Sequence, residues 1–255
     1  MAKIHTRTFR VRWSELDANG RFAPENYLRY LIETAYDWGD SLGLGSAAYE
    51  DMGIYWLIRE TAVEILDTPT HNDVVDLTIW MVQWQKVRGT RNFEVKHSTT
   101  GQVIARGSQK IVVMDRNSNR PTALGEDFIG MFRVEDPRSL DIQAHPYTPS
   151  AAPVHIGHKK VEWQDLDAQN HVNNAVYLSY ARQAIAEMLA EQGEQDGLAP
   201  TPAFIQLQYS LPAVWGDRLD LAIHEGTSLS GGKSYLVKMA RENSGELIAD
   251  CVITY

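Results

Sequence analysis

Cysteine is almost missing from this chain: Cys251 is the single one in 255 residues. One thiol excludes an internal disulfide, and its place in an alternating apolar stretch marks it as buried and unreactive. Such sparing use of cysteine makes the cytoplasm the expected location. No run of about 18 apolar residues occurs, which excludes a membrane-spanning helix. The opening residues Met1-Ala2-Lys3-Ile4-His5-Thr6-Arg7 lack an apolar signal-peptide core and are expected to lead directly into a strand. A positive surplus is missing too. The 24 basic and 33 acidic groups leave a net charge of −9, which argues against generic nucleic-acid binding. There is no Gly-x-Ser-x-Gly elbow, so no serine-centred triad is suggested. His71, His97, His145, His155 and His158 fall at no metal-ligand spacing, and nothing implies a metal or redox cofactor.

What the chain does have is a repeat. Val11-Arg12-Trp13-Ser14-Glu15-Leu16-Asp17-Ala18 returns as Val161-Glu162-Trp163-Gln164-Asp165-Leu166-Asp167-Ala168, and Tyr27, Leu28 and Tyr30 return as Tyr177, Leu178 and Tyr180. Further on, Asp73-Val74-Val75-Asp76-Leu77 matches Asp217-Arg218-Leu219-Asp220-Leu221, and Gly101, Ile104 and Ala105 match Gly245, Ile248 and Ala249. A period this long is that of a whole duplicated domain, not of a solenoid or propeller. The expected division is a first domain over residues 1–125, a connector over 126–158 and a second domain over 159–255. Hydrophobic content of 44% and charged content of 22% suit two ordinary globular domains with substantial cores.

Each copy reads strand, turn, long helix, then several strands. In the first, Thr8–Trp13 alternates as a strand, Asp17-Ala18-Asn19-Gly20 turns, and Pro24 suits a first helical position. Tyr27, Leu31, Ala35 and Trp38 then share one helical face, and Gly43 and Gly45 are stop signals. Strands are expected at Trp56–Leu66, Val74–Gln85, Thr90–His97 and Val103–Met114. The second copy gives Lys159–Trp163, a helix over about Asn173–Gln192, and strands Ala203–Ser210, Arg218–Glu225, Lys233–Glu242 and Leu247–Tyr255, with a hairpin at Gly231-Gly232. The proline-rich connector carries a short helix near Gly125–Phe132. A long helix followed by consecutive antiparallel strands is an α+β pattern. With each helix apolar on more than one side and wrapped by its sheet, the expected fold is a tandem (double) hotdog.

The second copy continues Asp167-Ala168-Gln169-Asn170-His171-Val172-Asn173-Asn174-Ala175-Val176-Tyr177. An aspartate, a histidine four residues on, then Val-Asn-Asn and a tyrosine resemble the signature of hotdog-fold thioesterases. With Trp56-Leu57-Ile58-Arg59, Asn72-Asp73-Val74-Val75, Arg88-Gly89-Thr90-Arg91 and the Asp115-to-Pro121 turn, the chain resembles the acyl-ACP thioesterases of plants and bacteria over nearly its whole length. The resemblance implies a hydrolase releasing a free fatty acid from an acyl carrier, the acyl chain held by the first hotdog and the chemistry supplied by the second. Asp167 and His171 match the family pattern. Its asparagine position holds Gln169, with Asn170 shifted by one, and its glutamate position aligns with Pro212 or Ala213, neither of which does acid–base work. The first copy keeps Asp17-Ala18-Asn19 but has Arg21 where the histidine would be.

The residue types fit thioester chemistry. A carboxylate orients and deprotonates water or attacks the carbonyl itself, and amides at a helix N-terminus stabilise an oxyanion. The candidate catalytic residues are therefore Asp167, Gln169 and His171, with Asp17, Asn19 and Asn170 as secondary candidates, and the amides of His171 to Asn173 as candidate oxyanion donors. Val172, Asn173 and Trp56 are candidate substrate-binding residues, Trp56 because its strand would line an acyl pocket. The other tryptophans read as core, and Asp73 and Asp217 as structural. Arg88, Arg91, Arg106, Lys110, Arg116 and Arg120 form a candidate basic patch for an anionic carrier. The alternatives are an acyl-CoA thioesterase for short-chain or aromatic acyl groups and a non-hydrolytic acyl-binding module. No metal and no cofactor is expected. The partner is an acyl carrier protein or CoA through its phosphopantetheine arm, and the chain is either a monomer containing an intramolecular pseudo-dimer or a homodimer.

Overall fold

The computed structural model describes residues 4–134, 137–140, 142, 147–194, 200–228 and 231–255. His145 lies outside the described residues. The chain divides into two units, residues 1–142 and 143–255.

Unit 1 runs β1 (Ile4–Arg10), α1 (Glu25–Ser41), α2 (Ser46–Asp51), β2 (Ile54–Ile65), β3 (Val74–Gln85), β4 (Arg88–His97), β5 (Val103–Asp115) and α3 (Glu126–Phe132). Its strands pair antiparallel in the order β1-β3-β4-β5-β2. Unit 2 runs β6 (Tyr147–Pro149), β7 (His155–Lys160), α4 (Asn174–Glu191), β8 (Phe204–Tyr209), β9 (Arg218–Ser228), β10 (Lys233–Arg241) and β11 (Leu247–Thr254). Here the order is β7-β9-β10-β11-β8, with β6 also on β9. The two orders are the same once the copies are aligned, so the sequence repeat is a repeat of topology.

Both copies end their first strand earlier than the alternation suggests. The expected Thr8–Trp13 is Ile4–Arg10, and Lys159–Trp163 is His155–Lys160. The reason is a 3-10 turn over Trp13–Glu15 and again over Trp163–Asp165. Glu15 Oε2 accepts the Arg12 amide at 2.8 Å, and Asp165 Oδ2 accepts the Glu162 amide at 2.8 Å. Each bond folds the acidic side chain back on the strand end, as in a capping box. The turn points its tryptophan outward. Trp13 is 74% exposed and Trp163 75%, and Trp215 is exposed as well. That corrects the reading of the tryptophans as core, which holds for Trp38 and Trp80. Pro24 sits one position before the expected place, at the N-cap of α1 with helical backbone angles.

The cores are built from the repeated positions. Tyr27, Leu28, Leu31 and Trp38 of α1 are buried, as are Tyr177, Leu178, Ala181, Ile185 and Met188 of α4. They pack on inward sheet residues such as Leu77, Ile79, Phe93 and Val95 in unit 1 and Leu221, Ile223, Val237 and Cys251 in unit 2. Each fully buried large aliphatic or aromatic side chain contributes about 1.5–3 kcal/mol. Gly107 is required by this packing, because a Cβ there would strike the Phe93 ring and the Ala62 carbonyl. Gly101 and Gly245 take the same positive φ, 71° and 69°, in equivalent hairpins.

Candidate active site in the repeated turn

The turn between first strand and helix is built alike in both units. Leu166 bridges Val172, as Leu16 bridges Phe22. The Asp167 amide donates to the His171 carbonyl at 2.9 Å and the Asn170 amide to the Asp167 carbonyl at 3.0 Å. Asn170 closes the turn in the left-handed region with φ 63°, where Gly20 with φ 73° does so in unit 1. Asn173 then caps α4, its Oδ1 accepting the Ala175 amide at 3.0 Å.

Two tyrosines per copy tie this turn to the helix and to the strand beyond. The Tyr180 hydroxyl donates to Asp165 Oδ2 at 2.5 Å, as Tyr30 donates to Glu15 Oε2 at 2.7 Å. The Tyr177 hydroxyl accepts the Ala213 amide at 3.1 Å, while that of Tyr27 donates to the Asp67 carbonyl at 3.2 Å. Burial, helped by the negative field of Asp167 and Asp217, pushes the Tyr177 phenol up to about 12, and Tyr180 is raised too by burial and by Asp165. The sequence repeat flagged these tyrosines without showing what they do. Their role rests on contacts with residues far along the chain.

The two aspartates differ in how much of their carboxylate the turn occupies. Asp17 Oδ1 accepts the amides of Asn19 and Arg21, at 2.9 and 3.1 Å. Asp167 Oδ1 accepts the Gln169 amide at 2.8 Å and, among the described residues, no second backbone amide. Instead the His171 Nδ1 atom stands 3.8 Å from it, beyond hydrogen-bond reach but within ion-pair distance. The Asp167 and His171 side chains are 30% and 36% exposed, so this face is open to solvent and to a ligand.

The remaining candidates are distributed as follows. Gln169 and Asn170 are exposed, and Asn19 is exposed in unit 1. Val172 is buried, its amide donating to the Ala213 carbonyl at 2.9 Å, and the Asn173 amide donates to the Asp165 carbonyl at 2.9 Å. These two amides are therefore occupied, and of the three expected donors only the His171 amide has no backbone acceptor among the described residues. Ala213, which with Pro212 was one of the two residues expected at the family's glutamate position, is sealed against the turn through Val172 and Tyr177. Asp73 and Asp217 are structural: Asp73 Oδ2 accepts the Thr70 amide and hydroxyl, and Asp217 Oδ2 accepts the Val214 amide and pairs with Arg241. Desolvation would raise Asp73, but the bonds from Thr70 and His97 outweigh it and hold its carboxyl low.

Trp56 stands in unit 1 within an aromatic cluster, 5.8 Å from Trp84, 6.3 Å from Phe132 and 6.1 Å from Tyr49 between ring centres. Beside it is a cavity of about 120 Å³ lined by Met81, Trp84, Phe128, Ile129, Phe132 and Arg133. The expected basic patch is broken up. Arg91 turns into the sheet to bond Gln109, Arg106 pairs with Glu64, and Lys110 pairs with Glu60. A different basic groove lies along β1, where Arg7, Arg10, Arg12, Trp13 and His71 border about 450 Å³ of open space. His158, which has no metal spacing in sequence, is brought by strand pairing to 2.9 Å from Asp220, with Glu242 nearby. This is an exposed cross-strand hydrogen-bonded contact with a third, acidic neighbour. Among the described residues, no helix is long and apolar enough to cross a membrane.

Two copies of a long helix against an antiparallel sheet, each with an acidic turn before the helix, define a tandem hotdog protein of the thioesterase type. Residues 161–254 match the thioesterase-like superfamily, and residues 2–132, half of the chain, match the acyl-ACP thioesterase N-terminal domain. The chain belongs to the acyl-ACP thioesterase family. It is 26% identical over 207 residues to a chloroplastic palmitoyl-acyl carrier protein thioesterase of Gossypium hirsutum, covering 76% of this chain and 50% of that one. It is 23% identical over 202 residues to a chloroplastic oleoyl-acyl carrier protein thioesterase of Arabidopsis thaliana, covering 73% and 56%. The chain thus spans about half the length of these relatives. Among solved structures, a 12:0-ACP thioesterase from Umbellularia californica superposes with a TM-score of 0.80 at 19% identity, over 99% of this chain and 97% of that one. An acyl-ACP thioesterase from Bacteroides thetaiotaomicron gives 0.78 at 18% identity, over 99% and 97%. At such identities the likeness speaks for the fold.

Proposed function

We propose that this chain hydrolyses acyl thioesters carried on an acyl carrier protein, releasing a free acid, with Asp167 as the central catalytic group. The observation that carries this reading is the contrast between the two turns. Asp17 is held by two backbone amides, whereas Asp167 is held by one and faces His171 across an open surface. Asp167 then orients and deprotonates the attacking water, or adds to the thioester carbonyl itself. His171 donates to the developing oxyanion through its amide or its ring, and Gln169 stands beside it as a second polar side chain. General-base assistance of this kind contributes about 10²–10⁴-fold in rate.

In this reading the unit 1 interior around Trp56 holds the acyl tail, and the Arg7–Arg10–Arg12 groove receives the anionic carrier. Val172 and Asn173 shape the thioester end by fixing the turn. The cytoplasm remains the proposed location, in keeping with one buried thiol.

A second reading, an acyl-CoA thioesterase for short acyl groups, is favoured by the small cavity, since drug-sized ligand sites span about 300–1,000 Å³. Free-thiol release from matched acyl-ACP and acyl-CoA panels tests both, using wild type, Asp17→Asn and Asp167→Asn. Turnover on ACP thioesters lost only in Asp167→Asn supports the proposal. Preference for CoA moves the reading to the second. Loss only in Asp17→Asn moves the site to the first repeat, and an inactive wild type leaves an acyl-binding module.

A further inference from the structure

The turn that carries Asp167 and His171 hangs from one residue, Asp165. Its carbonyl accepts the Asn173 amide at 2.9 Å, Leu166 bridges Val172 on the next rung, and the Asp167 amide donates to the His171 carbonyl at 2.9 Å on the last. These rungs make a short ladder with Asp165 and Asn173 at its root. Asp167 and His171 stand at its tip, two residues from the root on either side.

A carboxylate ties the root down. Asp165 Oδ2 accepts the Glu162 amide at 2.8 Å and the Tyr180 hydroxyl at 2.5 Å. The first bond fixes the ladder to the chain just past the end of β7, and the second fixes it to the second turn of α4. Tyr180 is itself buried and gripped, with Lys159 over its ring at 5.1 Å and the Tyr177 ring edge-on to it at 6.3 Å. Burial and the Asp165 carboxylate hold its phenol well above the ordinary range, in the neutral form that donates. A hydroxyl donating to a carboxylate is among the stronger hydrogen bonds.

The spacing at the tip depends on this root. The Asp167 and His171 side chains stand 3.8 Å apart with no direct hydrogen bond between them, so the backbone rungs hold them in place. Misplacing a reacting group by about 1 Å can cost about 10²-fold in rate. Unit 1 carries the same tie in longer form. Glu15 Oε2 accepts the Arg12 amide and the Tyr30 hydroxyl, and the Glu15 carbonyl accepts the Ala23 amide at 2.9 Å. That ladder ends on Asp17 and Arg21 instead, with Asp17 taken up by two amides. The tie is common to both units, whereas a carboxylate facing an imidazole occurs in one of them.

We propose that Asp165 and Tyr180 are positioning residues for thioester hydrolysis, holding the ladder so that Asp167 and His171 keep the spacing that the reaction uses. This rests on the thioesterase reading above. Asp165 and Tyr180 act through the backbone rungs and touch no substrate.

The test compares Tyr180→Phe with its unit 1 counterpart Tyr30→Phe, which deletes the same hydroxyl from the same kind of tie. Thiol release from acyl-ACP gives kcat and KM, and thermal melts run beside it. Tyr180→Phe is expected to lower kcat by about 10- to 100-fold, with KM held within about twofold and the pH profile unmoved. Tyr30→Phe is expected to lower the melting temperature by a similar amount and to keep kcat. Asp165→Ala should reproduce the loss, and Asp165→Glu, which places there the residue type of Glu15, should restore most of it. An unchanged kcat in Tyr180→Phe overturns the proposal. So does an equal loss in Tyr30→Phe, which makes the effect one of general stability, or a shifted pH profile, which gives the phenol a chemical role. Should Asp165→Ala not fold by circular dichroism, the two tyrosine variants still decide. A wild type inactive on every thioester sinks the thioesterase reading, and the tie is then read from the NMR signals of the His171 ring, assigned by their loss in His171→Gln. Signals that move in Tyr180→Phe and not in Tyr30→Phe uphold the positioning, and signals that move in both or in neither overturn it.

Discussion

The Asp167 carboxylate and the His171 imidazole face each other across 3.8 Å at the mouth of the second repeated turn, and in the first turn Arg21 takes the histidine's place. The gap is too long for a hydrogen bond, so neither side chain is locked by the other and both remain available to a ligand. Removing either partner is therefore expected to reduce turnover far more than it reduces stability. Asp167→Asn should lower kcat/KM by about 10²–10⁴-fold with an unchanged melting temperature. His171→Gln should lose less, because its backbone amide stays. Steady-state kinetics beside thermal melts check this, and equal loss of rate and melting temperature would make the turn structural.

The fold was readable because duplication prints the same pattern twice. Val74–Gln85 appears with the expected bounds, and Glu126–Phe132 within one residue of them. Asp167 and His171 were legible because they lie four residues apart in one turn. The position of Arg91 was not. Alternation shows which residues share a face, and in β4 both faces are buried. Phe93 and Val95 pack inward, while Asn92 and Glu94 lie under the connector, where Arg138 pairs with Glu94 and its carbonyl accepts Trp80 Nε1 at 2.7 Å. With polar residues buried on both sides, hydropathy does not say which way an arginine points.

Tyr177 and Tyr27 are equivalent in sequence but not in chemistry. Tyr177→Phe strands the buried Ala213 amide, a loss of about 1–3 kcal/mol, and frees the segment that holds Val172. Tyr27→Phe removes the donor to the Asp67 carbonyl, which has a second lone pair for other partners, so the cost is expected near the low end, about 0.5–1.5 kcal/mol. Chemical denaturation measures both. If Tyr177 acts only through the turn, Tyr177→Phe lowers kcat while leaving its pH profile in place, and a shifted profile would give the phenol a direct role.

Asp250 carries a carboxylate that burial disfavours. Among the described residues its buried Oδ1 atom has no hydrogen-bond partner, and desolvation raises its pKa despite the attraction of Lys238 and His224. An acid whose folded pKa is raised costs nothing below its unfolded value, where both states are protonated, and destabilises the fold once pH exceeds the folded value. Asp250→Asn is therefore expected to stabilise at neutral pH, by the roughly 0.5–2 kcal/mol typical of relieved local conflicts. The gain should disappear in acid. Melting curves of both proteins across pH decide it, and a gain that persisted in acid would point to packing, not charge.

Trp56 sets the depth of the unit 1 interior in the proposed function. Its ring is half-buried and bounded by Tyr49, Trp84 and Phe132, so it forms a wall on the aromatic cluster. Replacing it with leucine keeps an apolar surface and removes volume, with a smaller stability cost than the roughly 3–5 kcal/mol of a buried tryptophan cut to alanine. The vacated space adjoins the 120 Å³ cavity, and each methylene buried there adds about 0.8 kcal/mol. Trp56→Leu is thus expected to move the preferred acyl chain toward greater length, by about fourfold in kcat/KM for each methylene that newly fits. A chain-length panel on wild type and variant reads this directly. An unchanged length profile with a lowered melting temperature would make Trp56 a core residue and place the acyl tail elsewhere.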